Sequence, residues 1–124
     1  MPLILIVEDN DKNLKLLRDV LRFKGYETLE AMTGAEGVRL ARERNPDLVL
    51  MDIQLPDIDG VTALAQIRAN TATRDMPVMA VSGGVMPDEQ QRIAASGFNA
   101  YVTKPISVKS FVETVEKFVG KSGG

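Results

Sequence analysis

The sequence predicts an α/β domain built on one parallel sheet, and three observations carry that prediction. Apolar runs of strand length recur five times along the 124 residues, each followed by polar or Gly/Pro-containing residues. Segments of helical length lie between them, so strand and helix alternate along the chain. The first, third and fourth runs are continuously hydrophobic rather than alternating. Strands read that way when right-handed crossovers cover both faces of a sheet with helices.

The runs are Leu3–Val7, the weaker Tyr26–Ala31, Leu48–Met51, Val78–Val81 and Ala100–Val102. In the first helix Leu14, Leu17, Val20 and Leu21 form an apolar stripe, Lys24 gives a basic last turn, and Gly25 ends it. Asn10 or Asp11 can cap its start. Val38 and Ala41 mark the second helix, and Val61, Leu64 and Ala65 the third. Ile93 and Ala94 mark a short fourth helix that is otherwise polar through Asp88, Glu89, Gln90, Gln91 and Arg92. The last helix is the clearest, because Val108, Phe111, Val112, Val115, Phe118 and Val119 follow the i, i+3, i+4, i+7 spacing of one buried face. Residues 1–120 read as one domain and residues 121–124 as a disordered tail.

Composition narrows the chemistry. With 44% hydrophobic residues the chain has apolar material for one core and no room for a second catalytic or DNA-binding domain. Fifteen basic and 17 acidic residues nearly cancel, without a Lys/Arg run, so neither nucleic acid nor membrane is an expected partner. A macromolecular partner would be a protein. The absence of cysteine and histidine removes disulfides, thiol catalysis, zinc fingers and any imidazole base. The first apolar run meets Glu8-Asp9 without a basic leader or cleavage site, so it reads as neither signal peptide nor membrane span, and a cytoplasmic location is expected.

In an open α/β sheet, ligands bind outside the carboxyl ends of the strands. Strand one ends in Glu8-Asp9, strand three in Asp52, strand four in Ser82, and strand five in Lys104 followed by Pro105. Taken singly, each has an ordinary reading: a turn or cap for the acidic pair, a solvated loop for Asp52, a turn beside Gly83-Gly84 for Ser82, a surface charge for Lys104. Jointly they bring three carboxylates, a hydroxyl and an ammonium to one rim. Such carboxylates repel one another unless a cation lies between them, and oxygen ligands without His or Cys select Mg²⁺ or Mn²⁺. A phosphoryl group bridging metal and lysine would then satisfy both cations, with Asp52 as the nucleophile and Lys104 and Ser82 on the equatorial oxygens.

The stretches Ile6-Val7-Glu8-Asp9-Asn10, Met51-Asp52-Ile53-Gln54-Leu55-Pro56 with Asp59-Gly60, Ala80-Val81-Ser82 and Tyr101-Val102-Thr103-Lys104-Pro105 resemble the successive signatures of the response-regulator receiver family of two-component signalling. The resemblance covers essentially the whole chain. It implies a (βα)5, flavodoxin-like, doubly wound sheet of order 2-1-3-4-5, with the acids at the switch point. It implies Asp52 as phosphoacceptor and metal ligand, Asp9 as a direct ligand, Glu8 as a ligand through water and the Gln54 backbone carbonyl as a further ligand. Ser82 and Lys104 would bind the phosphoryl group, and the rotamer of Tyr101 would follow Ser82. The family often has threonine at the position of Ser82 and commonly alanine at that of Gly83, and Gly83-Gly84 should loosen the following loop. The Lys104-Pro105 bond resembles one that is cis in the family. The implied partners are a histidine kinase or histidine phosphotransferase upstream and a protein target on the face of helix four, strand five and helix five. The weak amphipathicity of helix four suits a surface that rearranges. Single-domain regulators of chemotaxis and of cell-cycle or polarity phosphorelays are the similar type, and a monomer or weak dimer is expected.

Rival readings fare worse on the residues. A haloacid-dehalogenase-like phosphotransferase needs a second acid two positions after the nucleophile, where this chain has Gln54. A flavin module would place a phosphate loop where Glu8, Asp9 and Asp11 stand, and a P-loop motif is lacking. A phosphorylation-independent adaptor remains open.

Overall fold

The computed structural model describes residues 2–83 and 87–120. Strands and helices alternate as β1 (Leu3–Val7), α1 (Asp11–Phe23), β2 (Glu27–Ala31), α2 (Gly34–Arg44), β3 (Leu48–Asp52), α3 (Gly60–Ala69), β4 (Val78–Ser82), α4 (Pro87–Ala95), β5 (Ala100–Thr103) and α5 (Val108–Val119). All pairings are parallel, and the sheet has the order β2-β1-β3-β4-β5. The three central strands are buried along nearly their whole length, which is why they read as unbroken apolar runs.

Two hydrophobic clusters sandwich the sheet. On one face Ile4, Ile6, Leu50 and Met79 pack with Leu14, Leu17 and Leu21 of α1 and Phe111 and Val115 of α5. On the other Leu5, Val49, Met51 and Val78 pack with Val38 and Ala41 of α2 and Ala63, Leu64 and Ile67 of α3. Burying one such large side chain stabilises the fold by about 1.5–3 kcal/mol. A third, much smaller group, Ile53, Ala80 and Ile93, lies under α4.

Capping explains the helix starts. The Asn10 side chain accepts from the amides of Lys12 and Asn13, so Asn10 rather than Asp11 caps α1. Gly25, at φ 91°, ends that helix as expected. Asn45 takes the left-handed conformation after α2.

Several expectations need correction. Tyr26 precedes β2: its amide donates to Leu21 O, closing the α1 turn, and its hydroxyl donates to Gly120 O at 2.6 Å. The ladders of β3, β4 and β5 run one residue further than the apolar runs, so Asp52 and Ser82 are the last residues of their strands. Ala65 and Ala94 are exposed, because the buried stripe of α3 runs through Gly60, Ala63, Leu64 and Ile67 and that of α4 is reduced to Ile93. Val108 is 44% exposed, since it starts α5 ahead of its first buried turn. The tail 121–124 and Gly84 lie outside the described residues. Among the described residues no helix is long and apolar enough to cross a membrane.

At the end of the sheet where the strands begin, Arg68 of α3 gathers two loops. Its guanidinium donates to Arg74 O and Met76 O before β4, and to Gly97 O and Asn99 Oδ1 before β5, at 2.5–3.3 Å. Asn99 Oδ1 also accepts from the Val78 amide at 2.8 Å.

Candidate functional site

The opposite rim collects the residues that strand ends placed there. Glu8 follows β1 directly, and its backbone amide still donates to Ala31 O at 2.9 Å, which carries the carboxylate into the rim. Glu8 is 1% exposed and Asp52 4%, whereas Asp9 is exposed to solvent. Carboxylate oxygens of Glu8, Asp9 and Asp52 lie within 4.8 Å of one another. Lys104 reaches in from the end of β5, its Nζ 2.9 Å from Glu8 Oε1 and 3.4 Å from Asp52 Oδ2. The Glu8 contact is an ion pair by distance only, since among the described residues neither Glu8 oxygen accepts a well-directed hydrogen bond.

The electrostatics show crowding. Burial first, and the adjoining Glu8 carboxylate second, push the Asp52 carboxyl up to about 7, against the lowering effect of Lys104 and of the Gln54 amide that donates to Asp52 Oδ1 at 3.2 Å. For Lys104 burial works against the charge, but the Glu8 and Asp52 carboxylates outweigh it and hold the ammonium above its ordinary value. One ammonium thus serves two buried acids. A hard divalent cation fits this oxygen set, because clustered carboxylates that hold a proton near neutrality lack positive charge.

Ser82 and Tyr101 line the other half of the rim. The register pairs Asp52 with Val81 and Ser82 with Thr103, so the serine hydroxyl lies one step along from the acid. Ser82 Oγ and Tyr101 Oη are buried without a hydrogen-bond partner among the described residues. The Tyr101 ring packs against Ile53, Ala80 and Ile93. The Lys104-Pro105 peptide is cis.

Supporting residues appear that the strand-end argument missed. Asp57 accepts from the Gly34 and Ala35 amides at 2.8 and 2.9 Å, fastening the loop after Asp52 onto the start of α2. Its carboxyl is held below the usual range by those two amides. Asp59 caps α3 through the Thr62 amide at 2.8 Å. A Cβ on Gly60 would lie 2.5 Å from Asp52 O, so only glycine lets α3 approach the backbone of the acid this closely. The Asp59-Gly60 pair was visible in the sequence as part of a motif; its physical role needed the approach distance.

The family's sequence profile, described as the response regulator receiver domain, matches residues 4–116 of this chain. The chain belongs to the response-regulator receiver domain family. The polar-differentiation response regulator DivK of Brucella ovis (strain ATCC 25840 / 63/290 / NCTC 10512) is 44% identical over 117 residues, covering 94% of this chain and 95% of that protein. Among solved structures, the receiver domain of sensor histidine kinase PA1611 from Pseudomonas aeruginosa PAO1, with a magnesium ion coordinated in its active site cleft, superposes with a TM-score of 0.89 at 30% identity, covering 96% of this chain and 98% of that one. The Mn²⁺-bound form of response regulator Rcp1 superposes with a TM-score of 0.82 at 25% identity, covering 100% of this receiver domain and 98% of Rcp1. This receiver domain is therefore a signalling module of two-component systems with a DivK-like, single-domain relative.

Proposed function

We propose that this receiver domain is the phosphoacceptor switch of a phosphorelay, taking a phosphoryl group from a phosphohistidine donor onto Asp52. One observation carries the reading: Asp52 is a buried carboxylate at the end of the central strand, with Lys104 Nζ at 3.4 Å and two further acids beside it. In the transfer the N–P bond of the donor histidine, protonated on its other ring nitrogen, breaks with its electron pair going to nitrogen as the bond from a carboxylate oxygen of Asp52 to phosphorus forms, leaving an acyl phosphate and a neutral imidazole.

Asp9 and Asp52 would hold Mg²⁺ or Mn²⁺ directly, Glu8 through water, and Gln54 by its backbone carbonyl. When bound, the cation neutralises the acids and draws charge from the phosphoryl oxygens. Lys104 would pair with one equatorial oxygen and the Ser82 hydroxyl would donate to another. Ser82 is suited to this because its hydroxyl is buried and has no partner among the described residues. Drawing Ser82 and its loop inward would leave room for Tyr101 and alter the face formed by α4, β5 and α5, where a downstream protein would bind. The upstream partner would be a histidine kinase or histidine phosphotransferase, and the compartment the cytoplasm. The receiver unit would span residues 1–120.

Incubation with acetyl phosphate and Mg²⁺ should add one phosphoryl mass to the wild-type protein and none to Asp52→Asn, by intact-mass measurement. Equal labelling of both proteins would overturn the assignment. A phosphorylation-independent adaptor would label in neither.

A further inference from the structure

The loop of residues 53–59 carries β3 into α3 with few backbone bonds of its own. Its ends are held, the Ile53 amide donating to Val81 O at 3.3 Å and the Gly60 amide to Ile53 O at 2.8 Å. Between them, among the described residues, no backbone group from Leu55 to Ile58 bonds to another backbone group. Side chains do the holding instead. Leu55 and Ile58 pack against the cluster that α2 and α3 share. Asp57 spans to α2, its Oδ1 accepting from the Gly34 amide at 2.8 Å and its Oδ2 from the Ala35 amide at 2.9 Å.

Those are two of the amides that the first turn of a helix leaves without an intrahelical partner. The amide of Glu36 is served from within, by the Thr33 hydroxyl at 3.1 Å. Helix α2 thus has two caps, of which Thr33 bonds its own helix and Asp57 comes from the loop beside Asp52. The fit is close, because a Cβ on Gly34 would collide with Ile58 Cγ1 and lie 3.3 Å from Asp57 Oδ1.

Gln54 lies between two anchors. Its own amide donates to Asp52 Oδ1 at 3.2 Å, and three residues later Asp57 grips α2 with both oxygens. Gln54 is exposed and belongs to no helix or strand, so these anchors and the Leu55 side chain set the orientation of the Gln54–Leu55 peptide. A carboxylate bonded twice to the positive end of a helix is a stiff tether. We propose that Asp57 is a positioning residue for the cation site: by clamping the loop to α2 it fixes the direction of the Gln54 carbonyl before a divalent cation arrives. This rests on the metal reading above, in which that carbonyl is a ligand. Asp57 itself is no ligand, since both its oxygens are committed to α2. The coupling is reciprocal, so a bound cation strengthens the hold of Asp57 on the two amides.

The test compares wild type with Asp57→Ala and, as a control for the simple loss of a helix cap, Thr33→Ala. In metal-free buffer, amide exchange followed by NMR should be several-fold faster at Gln54 and Leu55 in Asp57→Ala and unchanged there in Thr33→Ala, although both variants weaken the start of α2. Titration with Mg²⁺ alone, followed by amide chemical shifts, should show several-fold weaker binding in Asp57→Ala and wild-type affinity in Thr33→Ala. In wild type, Mg²⁺ should slow exchange at the Gly34 and Ala35 amides and leave that of Glu36 as it was. Unchanged exchange at Gln54 and Leu55 in Asp57→Ala overturns the proposal. So does wild-type Mg²⁺ affinity in that variant, or an equal loss of affinity in Thr33→Ala. If exchange rises while none of the proteins responds to Mg²⁺, the clamp on Gln54 stands and the metal reading fails. Should Asp57→Ala not fold, Asp57→Asn, which keeps one acceptor oxygen, carries the same comparison with smaller effects.

Discussion

The two halves of the rim are built differently. Around β1 and β3 every residue from Ile4 to Glu8 and from Leu48 to Ile53 is buried, and two large clusters press on the sheet from either side. Around β5 the residues from Ala100 to Pro105 are half-buried or exposed, and α4 rests on a cluster of three buried residues. The acids thus stand on a template fixed from both faces, while Tyr101 and the lysine stand on the less tightly packed part. The polar accounting follows the same division. Glu8 and Asp52 share an ammonium, whereas Ser82 Oγ and Tyr101 Oη are buried without a partner among the described residues. A group that later bonds to either hydroxyl recovers that lost hydrogen bonding, which is the differential interaction a population shift requires. The difference teaches that the acids and the residues facing them from β5 rest on parts of one sheet packed to different depths.

The strongest way to break this contrast is to cut into each core. Phe111→Ala, in the large cluster, should cost about 3–5 kcal/mol in urea unfolding, whereas Ile93→Ala should cost about 2 kcal/mol, because a small, partly open cluster collapses more readily. Equal losses would erase the distinction. Lys104→Ala comes next. It leaves two buried acids without their cation and should destabilise the metal-free protein by about 3 kcal/mol near pH 8. Thermal melts should show that loss shrinking on addition of Mg²⁺ and on acidification below about 7, where Asp52 can take up a proton.

A third prediction sharpens the electrostatic half. The folded Asp52 carboxyl titrates at about 7 and its ordinary value is 3.8, so as pH rises the unfolded chain releases the proton first. In that window the folded state binds more protons, and wild-type stability should fall between those two values as pH increases. Asp52→Asn removes the titration. Relative to wild type it should gain about 1–3 kcal/mol near pH 8 without metal and little near pH 4. Parallel pH profiles of melting temperature would show that the acids are not crowded. The smallest expected effect lies in the other half: Tyr101→Phe deletes a buried hydroxyl without a partner among the described residues and should cost no stability, gaining up to about 1 kcal/mol. A clear loss would mean that the hydroxyl has a partner.

Most of the fold was legible because its signals are local and repeated. Continuous apolar runs at β1, β3 and β4, the α5 spacing, and Gly25 after α1 each follow from one element's own burial or termination. The rim was legible because parallel topology turns the end of each run into a common edge, so Glu8, Asp52, Ser82 and Lys104 could be grouped without any distance. What escaped depends on contacts between elements. Ala65 and Ala94 fit an apolar stripe as well as their neighbours do, and only the packing of α3 and α4 decides which alanine is covered. Asp57 looks like any loop acid until α2 brings its free amides alongside.

The Arg68 staple has a mechanical consequence. By joining the loop before β4 to the loop before β5, it pins these two strands at the end remote from the acids. The displacement proposed for the Ser82 and Tyr101 end would then be a rotation about a fixed foot, with amplitude growing along each strand towards the rim. Amides near Val78 and Ala100 should exchange slowly with solvent deuterium whatever occupies the acidic end, while protection near Ser82 and Thr103 varies. Under the proposed function, stiffness at one end of a short lever would turn a small pull on the Ser82 hydroxyl into a larger sweep of the surface it carries.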